Sequence, residues 1–250
     1  MAFPRPVRDL RALLASATAA VALAVILPTS AVRASGFGPD VLSDLEVLHR
    51  TGRTIDRWAA KWWQWAFDNP DVLFDTTGEF GGLGDVGGPV FFAEGSGGGE
   101  ATLRYNVPSD QYILLPVATY LWTFFDPCAE PRCATRIVNQ NFIDGISGAY
   151  AIVDGQRVWN MRDHLVRVNR RDPLIFLVDA GPIDPDSGYG GILPAVEGGY
   201  WLMLEPLSPG RHHLQFGATV PNLDPITGEL LPGTTDLDTT LDLRAVRRRH

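Results

Sequence analysis

Short segments rich in β-branched and aromatic residues, separated by turn residues, make up most of the chain after residue 88. The turns are supplied by 26 glycines and 19 prolines among the 250 residues. Because these segments do not alternate with helical ones, the sequence predicts a mainly β fold. The predicted architecture is a two-layer antiparallel β-sandwich of jelly-roll or Ig-like type. The predicted strands are 89–94, 101–107, 111–125, 149–153, 157–160, 164–169, 174–179, 200–206 and 211–217.

The dipeptide Asp154-Gly155 lies between two of these segments, 149–153 and 157–160. Both residues tolerate positive φ, which a type I′ turn requires at its two central positions. The sequence therefore predicts a tight β-hairpin here, and this is the strongest local pairing signal in the chain.

One or two N-terminal α-helices are predicted within about 40–67. Trp58, Trp62 and Trp65 recur there at spacings of four and three, so their rings share one face of a helix. A stripe of this kind predicts a helix docked on the sheet by its aromatic side chains. Trp63 lies off the stripe and is the tryptophan of this helix that is left for an exposed role.

The first 34 residues have the three-part layout of a cleaved secretory signal peptide. Three arginines precede the apolar stretch 13–27, and Val32 and Ala34 stand at the −3 and −1 positions of a cleavage site. A membrane-spanning helix needs about 20 apolar residues, which this stretch does not reach. The sequence therefore predicts a secreted or periplasmic bacterial protein without stable membrane insertion.

Residues 35–250 are predicted to form a single β-rich domain, with a disordered C-terminal tail at about 220–250. The formal net charge is −8 for the whole chain and becomes −11 when residues 1–34 are removed. An acidic surface repels phosphates, so nucleic acid is not a predicted partner.

Cys128 and Cys133 are the only cysteines of the chain. In an oxidising compartment, an even number of closely spaced cysteines predicts a local disulfide. Closing so short a loop removes little chain entropy, so the predicted role of the bond is to hold a turn.

Aromatic side chains on a β-rich scaffold suggest a binding surface. The candidate ligand-binding residues are Trp63, Trp201 and Tyr189. The predicted function is a non-catalytic binding module for carbohydrate or a cell-envelope component. Two alternatives stay open: a structural or interaction protein of the envelope, and an extracellular polysaccharide hydrolase or lyase that uses carboxylates near 179–186. No catalytic residue is assigned, since no nucleophile or zinc-protease motif occurs.

Asp184 and Asp186 are candidate calcium ligands, because they are alternate carboxylates in a turn. The pattern lacks the acidic residue that closes an EF-hand loop. An Asp-Pro-Asp-Ser-Gly turn explains the same residues without a metal, since Asp side chains bond to their own backbone. The sequence therefore predicts no cofactor, and calcium is the one alternative that stays open.

Four stretches of the chain form a recognisable pattern. They are Lys-Trp-Trp-Gln-Trp at 61–65, Asp-Thr-Thr-Gly at 75–78, Gly-Pro-Val-Phe-Phe at 88–92, and Pro-Leu-Ser-Pro-Gly-x-His-x-x-x-Phe-Gly at 206–217. With them the chain resembles a family of secreted bacterial proteins that has no established activity. Members of that family often carry extra cysteines near 81–85 and near Tyr105, which this chain lacks. The resemblance implies secretion and carries no catalytic residue over.

We expect the exported protein to begin at Ser35, because the small residues at positions 32 and 34 fit the cleavage site. N-terminal sequencing of the protein recovered from an exporting bacterial host measures this directly. An Ala34→Phe variant should be cleaved poorly or elsewhere. A protein recovered with residues 1–34 still attached would contradict the prediction.

Overall fold

The computed structural model describes residues 39–124, 128–182 and 190–248 of the chain. The helices are α1 (Asp44–Thr51), α2 (Ile55–Asp68) and the short α3 (Pro131–Arg136), which continues into a π-helical turn at Ile137–Phe142. The strands are β1 (Val90–Phe92), β2 (Gly99–Pro108), β3 (Tyr112–Thr123), β4 (Ser147–Val153), β5 (Gln156–Arg157), β6 (Leu165–Val166), β7 (Phe176–Asp179), β8 (Ile192–Leu204), β9 (Gly210–Leu223) and β10 (Leu230–Val246).

The two N-terminal helices have clear start and stop signals. At the start of α1 the Ser43 backbone N–H donates to the Glu46 carboxylate at 2.9 Å, which is half of a capping box. Gly52 ends the helix with a φ of 75°, a left-handed conformation that glycine adopts without strain. Pro70 stops α2, because proline cannot continue a helix. No helix among residues 39–124, 128–182 and 190–248 is long and apolar enough to cross a membrane.

The strands form two five-stranded mixed sheets. The first sheet has the order β1-β3-β8-β6, with β7 also paired to β8, and the second has the order β2-β10-β9-β4-β5. The mainly β class with a few helices is therefore confirmed. Fully antiparallel pairing is wrong, because β1 runs parallel to β3 and β2 runs parallel to β10. Pairing between strands that are far apart in sequence leaves no local signal, so the sequence pattern could not predict the two parallel pairs.

The hairpin prediction is confirmed. Asp154 and Gly155 have φ values of 50° and 79°, and Val153 pairs with Gln156 across the turn. Positive φ at both central residues is the geometry of a type I′ turn. The predicted disulfide is also present between Cys128 and Cys133, whose Cα atoms are 5.5 Å apart. It links the chain before α3 to α3 itself.

The structure corrects the prediction of a disordered C-terminal tail. Residues 220–248 include the end of β9 and all of β10, and β10 lies between β2 and β9 inside the second sheet. Thr, Asp and Leu alternate in 234–243, so Leu241 and Leu243 face the core while polar residues face outward. The segment has no continuous apolar run, but a strand that buries one face needs only every second residue to be apolar.

Strand β8 is buried on both faces. Leu202 and Leu204 belong to a core cluster that contains residues from both sheets, while Trp201 and Met203 belong to a second cluster under α2. Successive side chains of a strand point to opposite faces, so the continuous apolar run at 200–204 serves both clusters. Helix α2 covers the first sheet on this side and packs against β3, β7 and β8.

The position of β10 predicts the effect of mutations in the C-terminal segment. Leu241→Ala should lower the free energy of unfolding by about 2 to 5 kcal/mol, because Leu241 is fully buried and its removal leaves a cavity. Leu230→Ala, at a position 59% exposed, should change it by less than about 0.5 kcal/mol. Urea denaturation of both variants tests this. If both variants changed the free energy of unfolding equally little, the prediction of a disordered tail would stand instead.

Candidate functional site

An aromatic groove opens beside α2. It has a volume of about 650 Å³ and lies between the middle of α2, the loop 95–98, the centre of β3 and the ends of β9 and β10. Its aromatic side chains are Trp62, Trp63, Phe74, Tyr120 and Phe142. A cavity of this size can enclose a small organic ligand.

A β-bulge in β3 shapes one wall of the groove. The register with β8 shifts between Pro116 and Ala118, so Val117 is the extra residue on this strand. A bulge bends its strand and re-aims the side chains next to it. Residues 116–120, including Tyr120, line the groove as a result.

The glycine-rich loop 95–98 forms a second wall. Gly97 lies so close to the 70–74 turn that a Cβ atom built on it would stand 2.1 Å from the carbonyl oxygen of Leu73. Only glycine permits that approach. The close contact with Leu73, which makes the loop 95–98 a wall of the groove, has no sequence signal.

The groove is electrically neutral. None of the described residues that line it carries a charged side chain, although the chain as a whole has a net charge of −8. Its polar side chains are held in place: the Thr235 hydroxyl donates to the Asn222 side-chain oxygen at 2.7 Å, and Thr239 accepts from the Ser96 backbone N–H at 3.1 Å. Such a surface favours a neutral ligand, since a charged one would lose its hydration without gaining a partner.

Tyr120 supplies both an aromatic face and a hydroxyl to the groove. Its ring stacks on Phe142, with centroids 4.8 Å apart and planes at 23°. Burial, together with the Asp224 carboxylate, raises the pKa of Tyr120 to about 12. The hydroxyl therefore stays protonated at neutral pH and can donate a hydrogen bond.

Of the two candidate ligand-binding residues within the described part of the chain, Trp63 lines the groove and Trp201 does not. Its ring packs edge-on against Trp62, with centroids 5.1 Å apart, and lies 6.3 Å from Phe67. The indole N–H is buried and donates to no residue in the described part of the chain. The ring face, rather than the N–H, is what Trp63 can offer to a ligand.

Trp201 was predicted to contact a ligand, and this is wrong. Its side chain is 1% exposed and lies under α2, where its ring is 5.5 Å from that of Trp62. Its indole N–H donates to Glu197 Oε2 at 2.8 Å. The expected docking stripe is confirmed by the same cluster, since Trp58, Trp62 and Trp65 are all buried in it.

The remaining candidate residues lie outside the described residues. These are Tyr189, predicted to bind a ligand, and Asp184 and Asp186, predicted to bind calcium. Within 39–124, 128–182 and 190–248, no group of three or more His, Cys, Asp or Glu side chains has a geometry that could hold a metal ion.

Two buried glutamates stand out from the rest of the core. Burial raises the pKa of Glu94 to about 8, and the nearby Asp75 carboxylate adds to the effect. Burial likewise raises the pKa of Glu197 to about 8; the hydrogen bond from Trp201 opposes this and Asp56 adds to it. Both side chains are therefore mostly protonated at pH 7. No local sequence pattern distinguishes either residue from the other carboxylates of the chain.

Asp75 explains why Glu94 is the protonated member of their pair. Asp75 accepts hydrogen bonds from the backbone N–H groups of Thr77, Gly78 and Phe80, at 2.7, 3.1 and 3.1 Å. Burial acts to raise the pKa of Asp75, but these bonds outweigh it and lower the pKa. Both carboxyl oxygens of Glu94 are buried without a described hydrogen-bond partner, so its charged form is strongly disfavoured.

Comparison of the chain with protein-family models, with curated proteins and with solved structures gave no match. The resemblance to a family of secreted bacterial proteins therefore stays a prediction. Arguments about function rest on the geometry of the cavities and on the residues that line them.

The raised pKa of Glu94 predicts a pH-dependent stability. The folded state keeps the proton up to about pH 8 and the unfolded state loses it near pH 4.5, so ionisation penalises folding increasingly between these values. Glu94→Gln cannot ionise. Its stability relative to the native protein should therefore rise by about 1.4 kcal/mol per pH unit in this window.

Urea denaturation at pH 5, 6, 7 and 8 measures this difference. Glu205→Gln is the matched control, because Glu205 is 38% exposed and its pair with Arg50 is long, at 3.9 Å. Its difference from the native protein should not grow with pH. Parallel pH curves for Glu94→Gln and the native protein would show that Glu94 ionises normally.

Proposed function

We propose that this chain is a non-catalytic binding module that holds a neutral carbohydrate in the aromatic groove. The observation that carries the proposal is the lining of the groove: aromatic rings and neutral hydrogen-bonding groups, with no charged side chain among its described residues. Sugar rings combine apolar C–H faces with hydroxyl edges, and this lining complements both. A charged cell-envelope polymer fits the same surface less well.

The size and rigidity of the groove support a binding role. About 650 Å³ accommodates a ligand of roughly two sugar rings. The Trp63 ring is held by Trp62, and the Tyr120 ring is held by Phe142, so little ordering is required when a ligand enters. Asn222 and Thr235, already bonded to each other, add polar groups near the rim.

We also propose that the chain is exported and works in an oxidising compartment, outside the cell or in the periplasm. The signal-peptide pattern of residues 1–34 supports export. The Cys128–Cys133 disulfide is compatible with it, because such bonds persist mainly in oxidising environments. For the architecture we propose a two-layer sandwich, supported by the core cluster that includes residues of both sheets.

A neutral oligosaccharide that fits the groove should stabilise the protein. At about a hundred times its dissociation constant, a ligand specific for the folded state adds about 2.7 kcal/mol, which a thermal-shift assay detects. Neutral di- and trisaccharides and charged counterparts such as uronic-acid oligomers would be screened in parallel. Trp63→Ala should weaken binding by about 2 kcal/mol, or roughly thirtyfold, because it removes the stacking face.

Two variants control this experiment. Trp63→Phe keeps an aromatic face and removes an N–H that has no described partner, so it should retain most of the affinity. Trp159→Ala changes a tryptophan that is 64% exposed and does not line the groove, so it should bind as the native protein does. Preference for charged oligosaccharides, or equal losses in Trp63→Ala and Trp159→Ala, would contradict the proposal.

A further inference from the structure

The first sheet has a gap along one edge of β8. On that edge, Tyr200 and Gly199 pair with β6, and Ala195 pairs with β7. Among the described residues, 196–198 have no strand partner on this edge, and the segment 167–175 between β6 and β7 contains no strand. A cavity of about 560 Å³ lies at this point, and we call it the sheet gap.

Charged and polar residues line the sheet gap, in contrast to the neutral groove. Its charged residues are Asp56 and Arg57 from the start of α2, Arg167 after β6, Asp172 before β7, and Glu197 from β8. Arg167 is already paired, since its guanidinium lies 2.5 Å from Asp144 Oδ1. The three carboxyl groups are thus opposed mainly by Arg57, whose side chain is exposed to solvent.

Glu197 lies at the base of the sheet gap. Its side chain is only 6% exposed, yet it lines the cavity. Oε2 accepts the hydrogen bond from the Trp201 indole, which orients the carboxyl group. Oε1 makes no hydrogen bond to any residue in the described part of the chain. A carboxyl oxygen of a buried side chain that lines a polar cavity is a strong acceptor for a ligand that brings its own N–H donors.

We propose that the sheet gap is a binding site for a small organic cation carrying a primary ammonium group, with Glu197 as its main partner and Asp56 and Asp172 at its rim. An ammonium group has three N–H donors and no acceptor. It matches a carboxyl group whose Oε1 has no hydrogen-bond partner among the described residues, in a cavity whose lining includes two further carboxyl groups. An anion would meet three carboxyl groups and a single available arginine. This site is separate from the aromatic groove, and the proposal does not depend on carbohydrate binding.

Protonation of Glu197 gives the proposal a specific signature. Burial raises the pKa of Glu197 to about 8, so the Glu197 carboxyl group is mostly protonated at pH 6 to 7 in the ligand-free protein. Asp56, at the start of α2, adds to this rise. The other charged residues that line the cavity are Arg57, Arg167 and Asp172. A bound ammonium group stabilises the ionised carboxylate, so binding must release a proton. Affinity should then rise by up to tenfold per pH unit below about pH 8.

Isothermal titration calorimetry with 1,4-diaminobutane tests the proposal on the purified protein. Titrations at pH 6, 7 and 8, each in two buffers of different ionisation enthalpy, give the affinity and the number of protons released. We expect tighter binding at higher pH, and proton release that approaches one per ligand at pH 6. Butane-1,4-diol, the uncharged counterpart, should not bind.

Three variants make the result specific to the site. Glu197→Gln keeps an acceptor for Trp201 but cannot ionise, so it should lose both the proton release and most of the affinity. Asp172→Asn, at an exposed rim position, should weaken binding several-fold and leave proton release unchanged. Glu205→Gln should behave as the native protein does. Melting curves and tryptophan fluorescence establish that each variant is folded.

Three outcomes would overturn the proposal. The first is no binding of the diamine to the native protein at millimolar concentration. The second is affinity that falls as pH rises, which would mean that binding of the diamine does not require the ionised carboxylate of Glu197. The third is unchanged proton release in a folded Glu197→Gln variant, which would place the cation elsewhere on this acidic chain.

Discussion

The packing of α2 on β8 through Trp62 and Trp201 is the contact on which most of the structure depends. The two rings meet edge to face at 5.5 Å, and aromatic pairs of this kind add stabilisation beyond the area that they bury. The opposite face of β8 is occupied by the core cluster that contains residues of both sheets. Because β8 is covered on both sides, the position of the helix and that of the two sheets are linked through one strand.

Both candidate sites follow from where α2 lies. Its first turn supplies Asp56 to the sheet gap, and Trp63, two turns later, supplies an aromatic face to the groove. The Trp201 side chain, held under the helix by Trp62, also orients Glu197. One helix therefore borders a neutral cavity and a charged one, and the contrast between their linings argues for two different ligands rather than one extended site.

The sequence predicted local features well and long-range ones poorly. The tryptophan stripe, the Asp154-Gly155 hairpin and the Cys128–Cys133 disulfide each depend on residues close together in the chain, and each is confirmed. The parallel pairing of β2 with β10 joins opposite ends of the domain, and no local pattern encodes it. For Trp201 a local signal did exist, since the continuous apolar run at 200–204 is typical of a strand that is covered on both faces.

By itself, the sequence determined the mainly β class, the N-terminal helices and the neutral or acidic character of each segment, because propensity, periodicity and charge are properties of short stretches. Only the tertiary structure decided which tryptophan is buried and which borders a cavity, and that a glycine-rich connection forms a wall of the groove. It also decided that Glu94 and Glu197 keep their protons near neutral pH. These outcomes depend on desolvation and on contacts between residues far apart in the chain, and both arise only when the sheets and the helix have packed together.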